Sequence, residues 1–201
     1  AYGYDFPSAG VRLDMLDEAA ELITSLLTQD RTTFHGTHYR AEDASCLPAP
    51  VRGNLPLWIG GVGEKRTLRT VAAKADGWNA AYIPPEEFGR LNGVLDSWCE
   101  KLDRDPGSIE RSVNLMFMMG ADQAGADRAE EALAAQWGGM AERVKGGALG
   151  GLPEQAMETV QRYIDAGADM VNIALRAPFD HEALEAYLTE VMPAVRTANG
   201  S

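Results

Sequence analysis

Four short apolar runs, each followed by a helical pattern, limit the folds open to this chain. Leu57-Trp58-Ile59 leads into a helix expected near Lys65. Gly77-Trp78-Asn79-Ala80-Ala81 precedes Pro84-Pro85-Glu86-Glu87, where proline suits a first helical turn because its missing N–H would be unpaired there anyway. Val113 to Met119 is apolar apart from Asn114, and a helix is expected after it from about 124 to 136. Met170 to Leu175 precedes a last helix, capped by Asp180 and carrying Leu184, Leu188 and Val191. Strands too apolar to face water, alternating with helices, indicate a parallel sheet covered by helices. The pattern leaves open a doubly wound sheet and part of a barrel.

The flanking segments are of other kinds. From about Val11 to Gln29, residues Met15, Leu16, Ala19, Ala20, Leu22, Ile23, Leu26 and Leu27 form one apolar helical stripe, with Asp14, Asp17, Glu18 and Glu21 on the wet side. Thr32 to Ala44 turns polar and aromatic around Gly36 and reads as a short hairpin or ordered loop. Cys46 to Pro56 holds three prolines and reads as a connection. Gly138 to Gly151, with six glycines, is expected to be a mobile segment joining two helices, the second opening at Pro153-Glu154. We read 1–201 as a single domain, with 1–56 as helix, hairpin and connection and 57–201 as four β/α units.

Composition narrows the function classes. The 201 residues are 45% hydrophobic and 24% charged, enough for one sizeable core. A net charge of −12 repels a phosphate backbone and argues against nucleic acid as a partner. No run of apolar residues is long enough to cross a membrane, and no basic stretch followed by an apolar one opens the chain. An opening Ala1 suggests an excised or processed chain. Cys46 and Cys99 are expected as free thiols in a reducing cytoplasm. His35, His38 and His181 match no metal-ligand spacing, so no metal is expected.

The densest chemical signal runs from Leu57 to Arg69. A strand ends, Gly60, Gly61 and Gly63 turn the chain around Val62, and a helix starts. Glycines permit positive φ and close backbone approach to an anion, and a helix start offers unpaired N–H groups and a partial positive charge. Lys65, Arg66 and Arg69 put three cations there in an otherwise acidic chain; Thr67 can add a hydroxyl, and Glu64 can orient Lys65 or a ligand hydroxyl. The P-loop pattern fails at Glu64 and the dinucleotide fingerprint fails at Arg66. Anion binding and a plain tight turn both remain open on the glycine pattern alone.

Longer stretches carry a family resemblance. Pro56-Leu57-Trp58-Ile59-Gly60-Gly61, Thr67-Leu68-Arg69, Val71-Ala72 and Ala75-Asp76-Gly77-Trp78-Asn79 resemble the luciferase-like monooxygenase superfamily, and its branch using the deazaflavin coenzyme F420 most. So do Ala1-Tyr2-Gly3 with Phe6-Pro7, Leu13 to Ala19 leading to Phe34-His35-Gly36, and Ala174 to Asp180 leading to Glu190-Val191-Met192-Pro193.

The resemblance implies the C-terminal half of a (β/α)8 TIM barrel, because family members carry eight strands and only the last four units have counterparts here. It implies hydride transfer between F420 and an organic substrate, with FMN and monooxygenase chemistry as the alternative and a non-catalytic half-barrel as a further one. Gly60, Gly61, Val62, Gly63, Glu64, Lys65, Arg66 and Thr67 would hold the cofactor phosphate. Trp78, Asn79 and Arg176 would line the mouth where barrel sites lie. Catalytic residues have no assignment. Each mouth residue also has a plain structural reading: Trp78 as core, Asn79 as strand packing, Arg176 as a clamp on Asp180. Met116, Met118 and Met119 read as strand packing and His181 as a helix-start surface residue. Unpaired parallel edges invite a partner, either a second copy or a separate N-terminal half.

Overall fold

The computed structural model describes residue 3 and residues 5–200. Ala1 and Tyr2, part of the opening resemblance, lie outside the described residues. Helix α1 (Ala9–Thr28) precedes β1 (Thr32–His35), β2 (Arg40–Ala44) and β3 (Trp58–Gly60). Helix α2 (Thr67–Lys74), β4 (Gly77–Ala81), α3 (Pro85–Lys101), β5 (Glu110–Met119) and α4 (Gln123–Trp137) follow. The chain then forms α5 (Ala141–Lys145), β6 (Ala148–Gly151), α6 (Pro153–Asp165), β7 (Met170–Ala174), α7 (His181–Ala186) and α8 (Met192–Asn199). Two compact units divide it: Ala1–Trp78 with Val94–Ile109, and Asn79–Gly93 with Glu110–Ser201.

In the first unit Ser8 caps α1 through the Val11 N–H. The acidic side of this helix is solvent-exposed at Asp14 and Glu21, but its carboxylates are paired rather than merely hydrated. Asp14 takes Arg66, while Asp17 takes Thr70 and Lys74, and Glu21 takes Lys74 as well. Acids one turn apart on α1 therefore meet cations and a hydroxyl one turn apart on α2, the spacing that places residues on one helical face. The apolar stripe stays half-exposed instead: only Ala20 of α1 is buried, and Ile23 is open to solvent.

Strands β1 and β2 form the expected antiparallel hairpin, with Phe34 opposite Ala41. The Glu18 carboxylate holds its turn by accepting from the backbone N–H groups of Thr37, His38 and Tyr39. At the start of β4, Asp76 and Gly77 N–H both donate to the Leu57 carbonyl, and the Asp76 carboxylate accepts from Leu57 N–H. Arg104 closes the far end of α2, donating to the carbonyls of Val71, Ala72 and Ala75.

In the second unit β7 runs parallel to β5, with Asn172 beside Asn114 and Ala174 beside Met116. Side chains alternate across the pleat. Val113 and Leu115 are fully buried, while Asn79, Ser112, Asn114 and Asn172 share the opposite face by their pairings. Behind the strands, Phe88 meets Tyr163 edge to face, and the Tyr163 hydroxyl donates to the Ile83 carbonyl.

The glycine-rich segment after α4 is not a plain mobile link. It forms a short 3-10 turn (Gly138–Met140), then α5 and β6. Val144 and Ala148 are buried with Met116 and Leu133 in one apolar cluster. Strand β6 takes over the edge of β5 that β4 leaves. Tyr82 N–H donates to the Asn114 carbonyl, and two residues on, Met116 N–H donates to the Gly147 carbonyl. Both bonds lie on one edge, because residues two apart in a strand point their backbone groups the same way. No helix among the described residues is long and apolar enough to cross a membrane. Cys46 is exposed, Cys99 is buried, and both are free thiols.

Candidate functional site

The turn between β3 and α2 is built around Thr67. Gly61 takes φ +131°, a conformation that side-chain-bearing residues rarely adopt. Gly63 needs to be glycine for a different reason: a Cβ there would lie 2.7 Å from Thr67 Oγ1. Leu68 N–H closes the turn on the Gly63 carbonyl at 3.0 Å. Two indoles fix its outer carbonyls. Trp78 Nε1 donates to Gly61 O and Trp98 Nε1 to Glu64 O, each at 2.8 Å.

The start of α2 is open for a ligand in chemical terms. Arg66, its N-cap, makes no side-chain capping bond; Leu68 N–H is taken by Gly63, while the Thr67 and Arg69 N–H groups, in the first turn, have no partner within the helix. Thr67 is buried, while Lys65 and Arg69 are exposed and have no ion-pair partner among the described residues. Arg66 differs from them. Its guanidinium binds Asp14 at 2.6 Å and the Gly10 carbonyl at 3.1 Å, so its charge is largely committed within the fold.

The three mouth residues separate. Trp78 is fully buried and spends its N–H on the turn, so it is a core residue. Asn79 is half-buried and donates to Ser112 Oγ at 2.8 Å and Asn114 Oδ1 at 3.2 Å. Arg176 does not clamp Asp180. Arg128 pairs with Asp180 at 3.3 Å, and the Arg176 guanidinium sits 5.9 Å over the Trp137 ring. Asp180 accepts from the Ala183 and Glu182 N–H groups as the cap of α7. The Ala183 bond, followed by Arg128, holds its carboxyl below the usual range. His181 opens α7 on the surface, and Met116 and Met119 are buried strand residues.

Sequence reasoning missed three groups. Trp98 acts on Glu64 across a separation that no local motif spans. Trp137 lies beneath Arg176. The asparagine row had a signal: Asn79, Asn114 and Asn172 each interrupt an apolar strand. No cluster of three or more His, Cys, Asp or Glu gathers among the described residues.

Comparison with known proteins places this geometry. The model of the luciferase-like monooxygenase family matches residues 1–170. An F420-dependent glucose-6-phosphate dehydrogenase of Intrasporangium calvum is 25% identical over 231 residues, covering 98% of this chain and 65% of that protein. An uncharacterized Mycobacterium tuberculosis protein is 35% identical over 89 residues, 44% of this chain and 29% of the relative. Among solved structures, an F420-dependent secondary alcohol dehydrogenase in complex with an F420-acetone adduct superposes with a TM-score of 0.84 at 20% identity. That match covers 97% of this chain and 65% of the other. The chain thus spans less than two thirds of each of these proteins, with an α/β fold and parallel sheet like those of luciferase-like barrels. It belongs to the luciferase-like monooxygenase family.

Proposed function

We propose that the protein is an F420-dependent oxidoreductase, and that the turn Gly60-Gly61-Val62-Gly63, with Glu64, Lys65 and Thr67, holds the cofactor phosphate. The carrying observation is the turn itself: a glycine backbone fixed by two indoles, leading into an uncapped helix start beside two uncommitted cations. Such a donor set fits an anion of one or two charges. When bound, F420 supplies the hydride chemistry with an organic substrate; the chain holds its tail and orients it. Arg66 serves the contact between α1 and α2 rather than the phosphate. Asn79 and Arg176 stay candidates for substrate contact, and Trp78 does not.

FMN is the alternative occupant, with monooxygenase chemistry, because a phosphate-binding turn does not distinguish the two ring systems. We read the chain as the C-terminal half of a (β/α)8 barrel, completed by a second copy or by a separate N-terminal half. The half-exposed apolar stripe of α1 supports a missing neighbour. On this reading the isolated chain turns over little substrate. The free thiols are consistent with a cytoplasmic setting.

Titration of the purified chain with F420 and with FMN tests the proposal. F420 is expected to bind, more weakly as salt rises, since exposed charges are screened beyond about 10 Å at 0.1 M salt. Thr67→Val and the pair Lys65→Gln with Arg69→Gln should weaken binding, and Arg66→Gln should not. Binding of FMN alone would move the assignment to the monooxygenase reading. Uptake of neither would leave a non-catalytic half-barrel.

A further inference from the structure

A cavity of about 370 Å³ in the second unit lies at the C-terminal ends of β5 and β7. Its volume falls within the general range of small-molecule pockets, about 300–1,000 Å³. Phe117, Met119, Leu133 and Phe179 give it apolar walls, and Arg176 and Gln136 add polar groups. Two observations bear on what it takes. The Arg176 guanidinium has no carboxylate partner among the described residues and rests over Trp137. The Trp137 Nε1 donor beneath it is shielded and has no acceptor among the described residues. Arg176 lines the cavity, and Trp137 lies behind it.

We propose that this cavity binds a monocarboxylate with an apolar body, its carboxylate on Arg176 and its body along Phe117, Met119 and Leu133. The charge balance selects a monoanion. Arg128, the other arginine on the cavity wall, is neutralised by Asp180, which also lines the cavity and is ionised. A dianionic phosphate would bring its second charge toward that fixed carboxylate. The ligand is a substrate only on the reading given under Proposed function; the binding site stands without it.

The test uses the whole chain, ¹⁵N-labelled and free of cofactor, with hexanoate, hexanol and hexyl phosphate as probes. The Trp137 indole N–H signal is assigned by its loss in Trp137→Phe. Hexanoate is expected to shift that signal saturably and to bind on the order of tenfold more tightly than hexanol, as charge-assisted bonds exceed neutral ones. Arg176→Gln should abolish the preference and leave hexanol binding as it was; Arg176→Lys should keep part of it. Equal binding of hexanoate and hexanol, an unmoved Trp137 signal, or a preference surviving Arg176→Gln would each overturn the proposal. Tighter binding of hexyl phosphate would overturn the carboxylate class. Because no cofactor is present, failure here leaves the F420 titration untouched, and failure of that titration leaves this site standing.

Discussion

Replacing Gly63 with alanine separates two reasons for a glycine in the turn. Its φ lies outside the left-handed region, so an L-residue fits the backbone. With an unstrained backbone the substitution alone would stabilise by about 0.4–1 kcal/mol through the unfolded chain. The obstacle is Thr67, whose Oγ1 lies 2.7 Å and whose Cβ lies 3.3 Å from the new methyl. Thr67 is buried and has little room to turn away. Overpacking of this kind costs about 1–3 kcal/mol. In a Thr67→Ala background the 2.7 Å contact vanishes and the nearest is 3.3 Å, so Gly63→Ala should become neutral or slightly stabilising. The double-mutant cycle should therefore return a coupling of about 2 kcal/mol, read from urea unfolding of the four chains. Gly61→Ala should differ: its φ of +131° costs about 1–3 kcal/mol by backbone strain, which Thr67→Ala does not relieve, so only the part due to the 3.2 Å contact with Thr67 Cγ2 should be recovered. If Gly63→Ala costs the same in both backgrounds, the steric account of the turn is wrong.

Arg104→Met should destabilise the first unit by about 3 kcal/mol, since it removes charge-assisted bonds at 3.1 and 2.7 Å to the Ala72 and Ala75 carbonyls at the C-terminal end of α2; an unchanged thermal midpoint would refute this. Glu18 predicts a pH effect. The His38 N–H first, with Thr37 and Tyr39, holds its folded pKa below the usual 4.5, so its stabilising contribution is complete above 4.5 and disappears as pH falls through the depressed value. The hydrogen-exchange protection factors of Thr37, His38 and Tyr39, taken against the intrinsic rate at each pH, should fall over that acid window in the native chain, and the step should be missing in Glu18→Gln.

What could be read from the sequence was local. The hairpin around Gly36, the cap at Asp180 and the strand–glycine–helix order at Gly60–Thr67 depend on neighbours within a few residues, and all three are found. Strand β6 was hidden because Gly150 and Gly151 read as breakers, whereas its pairing comes from the exposed edge of β5. The wet face of α1 was legible, with Asp14 and Glu21 exposed, but its partners Arg66, Thr70 and Lys74 were not, because they lie more than fifty residues on. In the site, the glycines were legible and their supports were not: Trp78 and Trp98 reach the turn from 17 and 34 residues away.

The late arrival of β6 has a consequence for synthesis. The outer half of β5 leaves the ribosome well before Gly147 to Gly151, whose carbonyls accept from Met116 and Gly120. Until then an apolar strand, Met116-Phe117-Met118-Met119, has bare backbone on the edge that β4 abandons at Tyr82, and such an edge pairs readily with other chains. A nascent or truncated product ending before Gly147 would keep this edge bare, an aggregation hazard that β6 removes in the finished chain. The joint also resists repair by substitution, because any side chain at Gly147 would strike the backbone of Tyr82.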